Sequence, residues 1–144
     1  RLDLLKRRYG AVLIPPAVAE ELSALSHAGA KARIADALAE SWLVVQTPSG
    51  LPPAPPLPLD AGETEAIPFA LTVRADVLLM DEKRGRQAAR QIGLPVAGVL
   101  GELLHARRNG LVPSLRGEIH RLRTEAGFFV DSEIERFILS QVGE

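Results

Sequence analysis

Cysteine is absent from all 144 residues, which removes disulfides, thiolate metal sites and a cysteine nucleophile. Aromatic residues are 4% of the chain, too few to support a stacking platform for single-stranded bases. No apolar run reaches the ~20 residues of a membrane span, and no secretory leader is visible. A soluble cytoplasmic protein is the expectation. Neither sign of charge dominates. Seventeen Lys and Arg against eighteen Asp and Glu give a net charge of −1, so any nucleic-acid contact has to use a local basic patch. His27, His105 and His120 lie on unrelated segments, without the spacing of a zinc site. No catalytic serine motif and no glycine-rich phosphate loop is present.

What is present is a globular composition. The chain is 47% apolar and 24% charged, and its length suits one domain with a real core. Residues 1–10 read as the last turns of a helix closed by Gly10. Such a helix seldom opens a domain, so a preceding segment is expected. Ala11-Val12-Leu13-Ile14 is a short buried parallel-type strand stopped by Pro15-Pro16, and Pro16 can open the next helix. Val18, Leu22 and Leu25 recur at helical spacing. An Ala-rich helix over 28–40 and a strand over 42–46 follow. Residues 47–58 hold six of the eleven prolines and no charge, an extended polyproline-like loop.

Asp60 caps a helix expected to run to about Arg74, with Pro68 inside it. That proline removes a backbone bond and crowds the Thr64 carbonyl, so a kink or local break is predicted. Strands over 76–80 and 93–98, with a helix at 83–92 between them, come next. Helices at about 100–109, 113–126 and 132–142 close the chain. Strands alternating with helices predict an α/β fold: a three-layer α/β/α sandwich around a mainly parallel sheet of four to five strands. It is expected as one domain over 1–144, with 113–144 a C-terminal helical extension.

Ordered by predicted element, the acids draw together. Glu21 lies in the first helix after a strand, beside the Val18–Leu22 stripe. Glu63 and Glu65 lie in the first turns after Asp60, and Asp81 and Glu82 end a strand. In an open α/β sheet, ligands bind outside the carboxyl ends of the strands. Carboxylates from three elements meeting there would repel one another without a cation or a shared proton. Mg2+ or Mn2+ suits all-oxygen ligation. Plainer roles stand beside these: Asp60 and Glu63 match a capping box, Glu65 suits the positive end of its helix, and Glu82 can cap the helix that follows.

Three segments together resemble successive motifs of PIN domains. They are residues 12–22 (Val-Leu-Ile-Pro-Pro-Ala-Val-Ala-Glu-Glu-Leu), residues 59–67, and residues 78–86 (Leu-Leu-Met-Asp-Glu-Lys-Arg-Gly-Arg). The closer likeness is to a prokaryotic subfamily long filed as a domain of unknown function, which the run from Gly93 to Leu104 also fits. The resemblance implies a Rossmann-like sandwich and a magnesium- or manganese-dependent ribonuclease, in many members the toxin of a toxin–antitoxin pair. Carried over by position, the acidic site falls on Glu21, Glu63 and Asp81, with Glu65 an adjacent candidate ligand. The pattern's first strand and its Asp, which precede the helix ending at Gly10, are missing from the sequence. Asp3 does not replace that Asp. The threonine often found in the Gly93–Gly101 motif is Val99 here.

Arg84 and Arg86, just after Asp81, are candidates for substrate phosphate contact. Arg90, Arg107, Arg108 and the basic helix of Arg116, His120, Arg121 and Arg123 read as solvated faces or helix ends. The leading expectation is a metal-dependent ribonuclease with an RNA substrate, an antitoxin partner and a possible homodimer. The alternative is a catalytically silent module of the same fold that binds protein or nucleic acid.

Overall fold

The computed structural model describes residues 1–47, 49–50 and 61–144, with side chains from residue 64 in the last stretch. The proline-rich loop, Asp60 and the side chain of Glu63 lie outside the described residues. Two compact units result, residues 1–97 and 98–144.

In the first unit, α1 (Leu2–Tyr9) ends at Gly10, whose φ of 72° and N–H bonded to the Lys6 carbonyl (2.9 Å) close the helix. A residue with a Cβ is strained at that φ, which accounts for the glycine. The strand β1 (Val12–Ile14) follows, and then α2 (Pro16–Ser23), with Pro15 extended as its N-cap and Pro16 at its first position. The ring of Pro16 presets the helical φ and costs no bond there. The Ala-rich α3 (Ala28–Ala39) is capped by His27, whose Nδ1 accepts the Ala30 N–H at 3.1 Å. The strand β2 (Leu43–Val45) completes the first half.

The second half of this unit holds α4 (Ala61–Thr72), β3 (Leu78–Leu79), α5 (Lys83–Gln91) and β4 (Val96–Ala97). α4 runs on through Pro68 without the predicted break, and the Thr72 hydroxyl donates to the Pro68 carbonyl at 3.0 Å. The strands are parallel but form two separate pairs. β1 pairs with β2 in the register Val12 to Leu43, and β3 with β4 in the register Leu78 to Val96. The arrangement is mixed α/β, as expected. In place of one sheet of four to five strands there are two of two, because no strand among the described residues joins β1 to β3.

Each pair has its own apolar cluster. Ile14, Ala37, Trp42 and Leu43 are buried around the first. Ile67, Ala70, Leu78, Met80, Ala88, Ala89 and Leu94 are buried around the second. The i, i+3 spacing of Ile67 and Ala70 puts both on one face of α4, where they are buried with the adjacent alanines of α5.

The second unit is helical: α6 (Val99–Arg108), α7 (Leu115–Ala126) and α8 (Ser132–Ser140). Its buried side chains include Leu103, Val112, Leu115, Ile119, Ile138 and Leu139. Ser114 and Asp131 cap α7 and α8 with their side-chain oxygens. Gly127, at φ 62°, ends α7 in the left-handed conformation.

Candidate functional site

The carboxyl end of β1 runs directly into α2, so the amide groups of that helix's first turn face the strand ends. Pro16 has no N–H, and Ala17 is the first donor there. Glu65 of α4 supplies its acceptor: Oε2 takes the Ala17 N–H at 3.1 Å. An anion at a helix N-terminus is favoured by both the free amides and the helix dipole. Glu65 is therefore a long-range cap that ties α4 to α2. Its Oε2 thus serves the dipole of another helix.

Glu21 lies one turn further along α2 and is exposed. This corrects the expectation that it lies near the strand ends rather than in open solvent, although the stripe beside it forms, with Val18 and Leu22 packed on the Ile14 cluster. α2 carries no fully buried residue, so its apolar face is shallow and Glu21 turns to solvent. Asp81 follows β3 after Met80 and is also exposed. Its backbone carbonyl accepts from Arg86 Nη1, which holds that guanidinium next to the acid. Glu82 is the N-cap of α5, its Oε2 accepting the Gly85 N–H at 2.7 Å. Its capping role accounts for it.

Among the described residues no three histidine or acidic side chains come together as a metal cage. Glu21, Asp81 and Glu65 do not form one, and the Glu63 side chain is outside the described residues. The donor chemistry nevertheless suits a hard cation: Glu21 and Asp81 offer only carboxylate oxygens. Magnesium commonly uses just one or two carboxylates and completes its shell with water and phosphate.

Of the basic candidates, Arg84 is exposed and Arg86 half-buried against the Asp81 backbone. The basic helix α7 is largely self-neutralised. Arg121 pairs with Glu118 and Glu125, and Arg123 with Glu135. Arg107 is bound to Glu144 at 2.8 Å.

The resolved carboxylate perturbations lie away from the predicted acids. The Lys6 ammonium, hydrogen-bonded to Glu40 at 2.6 Å, lowers that exposed carboxyl below its ordinary range. Glu144 is lowered to about 2, first by Arg107 and then by the Arg116 and Leu115 amides. The buried acids Glu102 and Glu118 were not singled out by sequence reasoning either. Both occupy the first turn of a helix, a position that reads as ordinary dipole complementation. Nothing in the local pattern marks them as buried.

Parallel strands, each followed by a helix, with acids at the turns between them, define a protein of the α/β class with ligand-accessible strand ends. A family model described as DUF3368: PIN domain matches residues 1–144. The chain belongs to the PIN-domain family. No curated protein and no solved structure matches it.

Proposed function

We propose that this PIN-domain chain is a divalent-metal-dependent ribonuclease that hydrolyses RNA phosphodiesters, the toxin half of a toxin–antitoxin pair. The observation that carries the reading is Asp81, an exposed acid just beyond a parallel strand, in a chain matched along its whole length to a nuclease-like family. The carboxyl edge of such strands is where α/β proteins place their chemistry. Glu21, Glu63 and Asp81 would hold Mg2+ or Mn2+. Glu65, whose Oε2 caps α2, stays an adjacent candidate ligand through its other oxygen. A bound ion supplies a water of lowered pKa and neutralises phosphate charge. Arg86, anchored on the Asp81 carbonyl, and the exposed Arg84 would orient the phosphate beside the acid.

One observation favours the second reading, a silent RNA- or protein-binding module: no three-acid group forms among the described residues. The two readings separate in one assay with labelled RNA. Cleavage that is lost both with chelator and in Asp81→Asn supports the nuclease. Cleavage that persists in both rejects it, and RNA binding without any cleavage assigns the module. The toxin role predicts growth arrest on expression, relieved by Asp81→Asn and by a co-expressed antitoxin protein.

A further inference from the structure

α5 holds four cations in nine residues, Lys83, Arg84, Arg86 and Arg90, and no acid. Gly85, Ala88 and Ala89 are buried, while Lys83, Arg84, Gln87, Arg90 and Gln91 are exposed. One face of the helix is therefore a ridge of cations and amides about 13 Å long, and it begins just beyond Asp81. Several cations elsewhere are answered by acids: Lys6 by Glu40, Arg107 by Glu144, Arg121 by Glu118 and Glu125, and Arg123 by Glu135. Among the described residues no acid pairs with Lys83, Arg84 or Arg90.

This arrangement does not serve the helix. Cations near a helix N-terminus oppose its dipole, and Lys83, Arg84 and Arg86 fill three of the first four positions. Like charges at i, i+3 (Lys83 and Arg86) and at i, i+4 (Arg86 and Arg90) repel as well. An anion laid along the ridge relieves both penalties. Protein partners need apolar or aromatic anchors at the centre of an interface, and the exposed residues of Lys83–Gln91 include none. A chain of phosphates needs only cations and hydrogen-bond donors, and Lys, Arg and Gln side chains offer both.

We infer that the α5 ridge grips the RNA backbone to one side of the scissile phosphate. Lys83 and Arg90 hold flanking phosphates, and Gln87 and Gln91 donate to phosphate or ribose oxygens. Lys83 and Arg90 are separated by about 10 Å of helix rise, so they meet different phosphates. The ridge has no aromatic side chain for stacking on bases. Its hold is therefore electrostatic, tolerant of base sequence and steeply weakened by salt. This grip rests on the RNA reading above and goes beyond it, giving the strand a path away from Asp81 along α5.

Fluorescence anisotropy with a labelled single-stranded RNA tests it, in chelator so that the strand stays whole, across a KCl series from about 50 to about 300 mM. Lys83→Gln and Arg90→Gln should each reduce the magnitude of the slope of log affinity against log salt by about 0.7, and the double variant by about 1.4. The reductions should be the same on A-rich and U-rich strands. Lys31→Gln, which removes a like charge from an exposed position of α3, should leave the slope unchanged. Unchanged slopes in both α5 variants would overturn the ridge, as would an equal effect of Lys31→Gln or an absence of RNA binding. Tighter binding of polyglutamate than of RNA, lost in Arg90→Gln, would assign the face to an acidic protein and overturn it too. Adding Mn2+ separates the ridge from the nuclease reading. RNA held through α5 but left uncut upholds the ridge and rejects the nuclease, whereas RNA cut with unchanged slopes rejects the ridge alone.

Discussion

Replacing Glu144 by Gln should weaken the second unit by about 2 kcal/mol at neutral pH, and the cost should disappear in acid. The Glu144 carboxylate accepts four donors: Arg107 Nε at 2.8 Å, and the Leu115 N–H, the Arg116 N–H and the Ser114 hydroxyl at 2.9 Å each. It thus closes the N-terminus of α7 and holds α6 to it. Lowering its pKa from the ordinary glutamate range to about 2 corresponds to about 3 kcal/mol at pH 7. The side chain is 15% exposed, so solvent screening takes part of that, leaving about 2 kcal/mol. The amide of Gln keeps one acceptor oxygen but turns an NH2 group toward donors.

The sign follows from the depressed pKa. The contribution is fully present above the unfolded value, near pH 4.5, and is lost as the pH falls through about 2. Thermal and urea unfolding of the two proteins from pH 7 down to about pH 2 measure it. At pH 7 the variant should melt roughly 4–8 °C lower. A cost below about 0.5 kcal/mol at pH 7, or one that is constant down to pH 2, would refute the reasoning.

Glu65→Ala should cost about 1 kcal/mol through the lost cap on α2, whereas Glu65→Gln, which keeps an acceptor, should be nearly neutral in urea unfolding. If Glu65→Gln instead abolishes RNA cleavage with unchanged stability, Glu65 belongs among the ligands. Ile119→Ala, at a side chain with 0% exposure, should cost about 2–5 kcal/mol by leaving a cavity in the second unit, read by calorimetry.

The elements were legible in the sequence wherever a local rule fixes them. Pro15-Pro16 stops one strand and opens one helix, and Gly10 closes another. The apolar strands at 12–14 and 78–79 follow from short runs bounded by turn residues. At Pro68 the local break did not occur, and α4, which packs against β3 and α5, continues through it. The site was legible only in part. Asp81 and Glu82 were placed by their strand end, and the capping role of Glu82 by the helix that follows it. The cap that Glu65 makes spans 48 residues, and no pattern in the sequence records it.

The sequence by itself determined the order of helices and strands, the absence of thiol chemistry, and the acids at the turns, since each depends on neighbours within a few positions. Tertiary structure alone decided how the acids are engaged. It engaged Glu65 in a helix cap, turned Glu21 to solvent and lowered Glu144, because each outcome depends on a donor or a surface brought from a distant segment. It also split the strands into two pairs around one apolar cavity. Strand neighbours are chosen by long-range pairing of backbone groups, for which local residue pattern carries no signal.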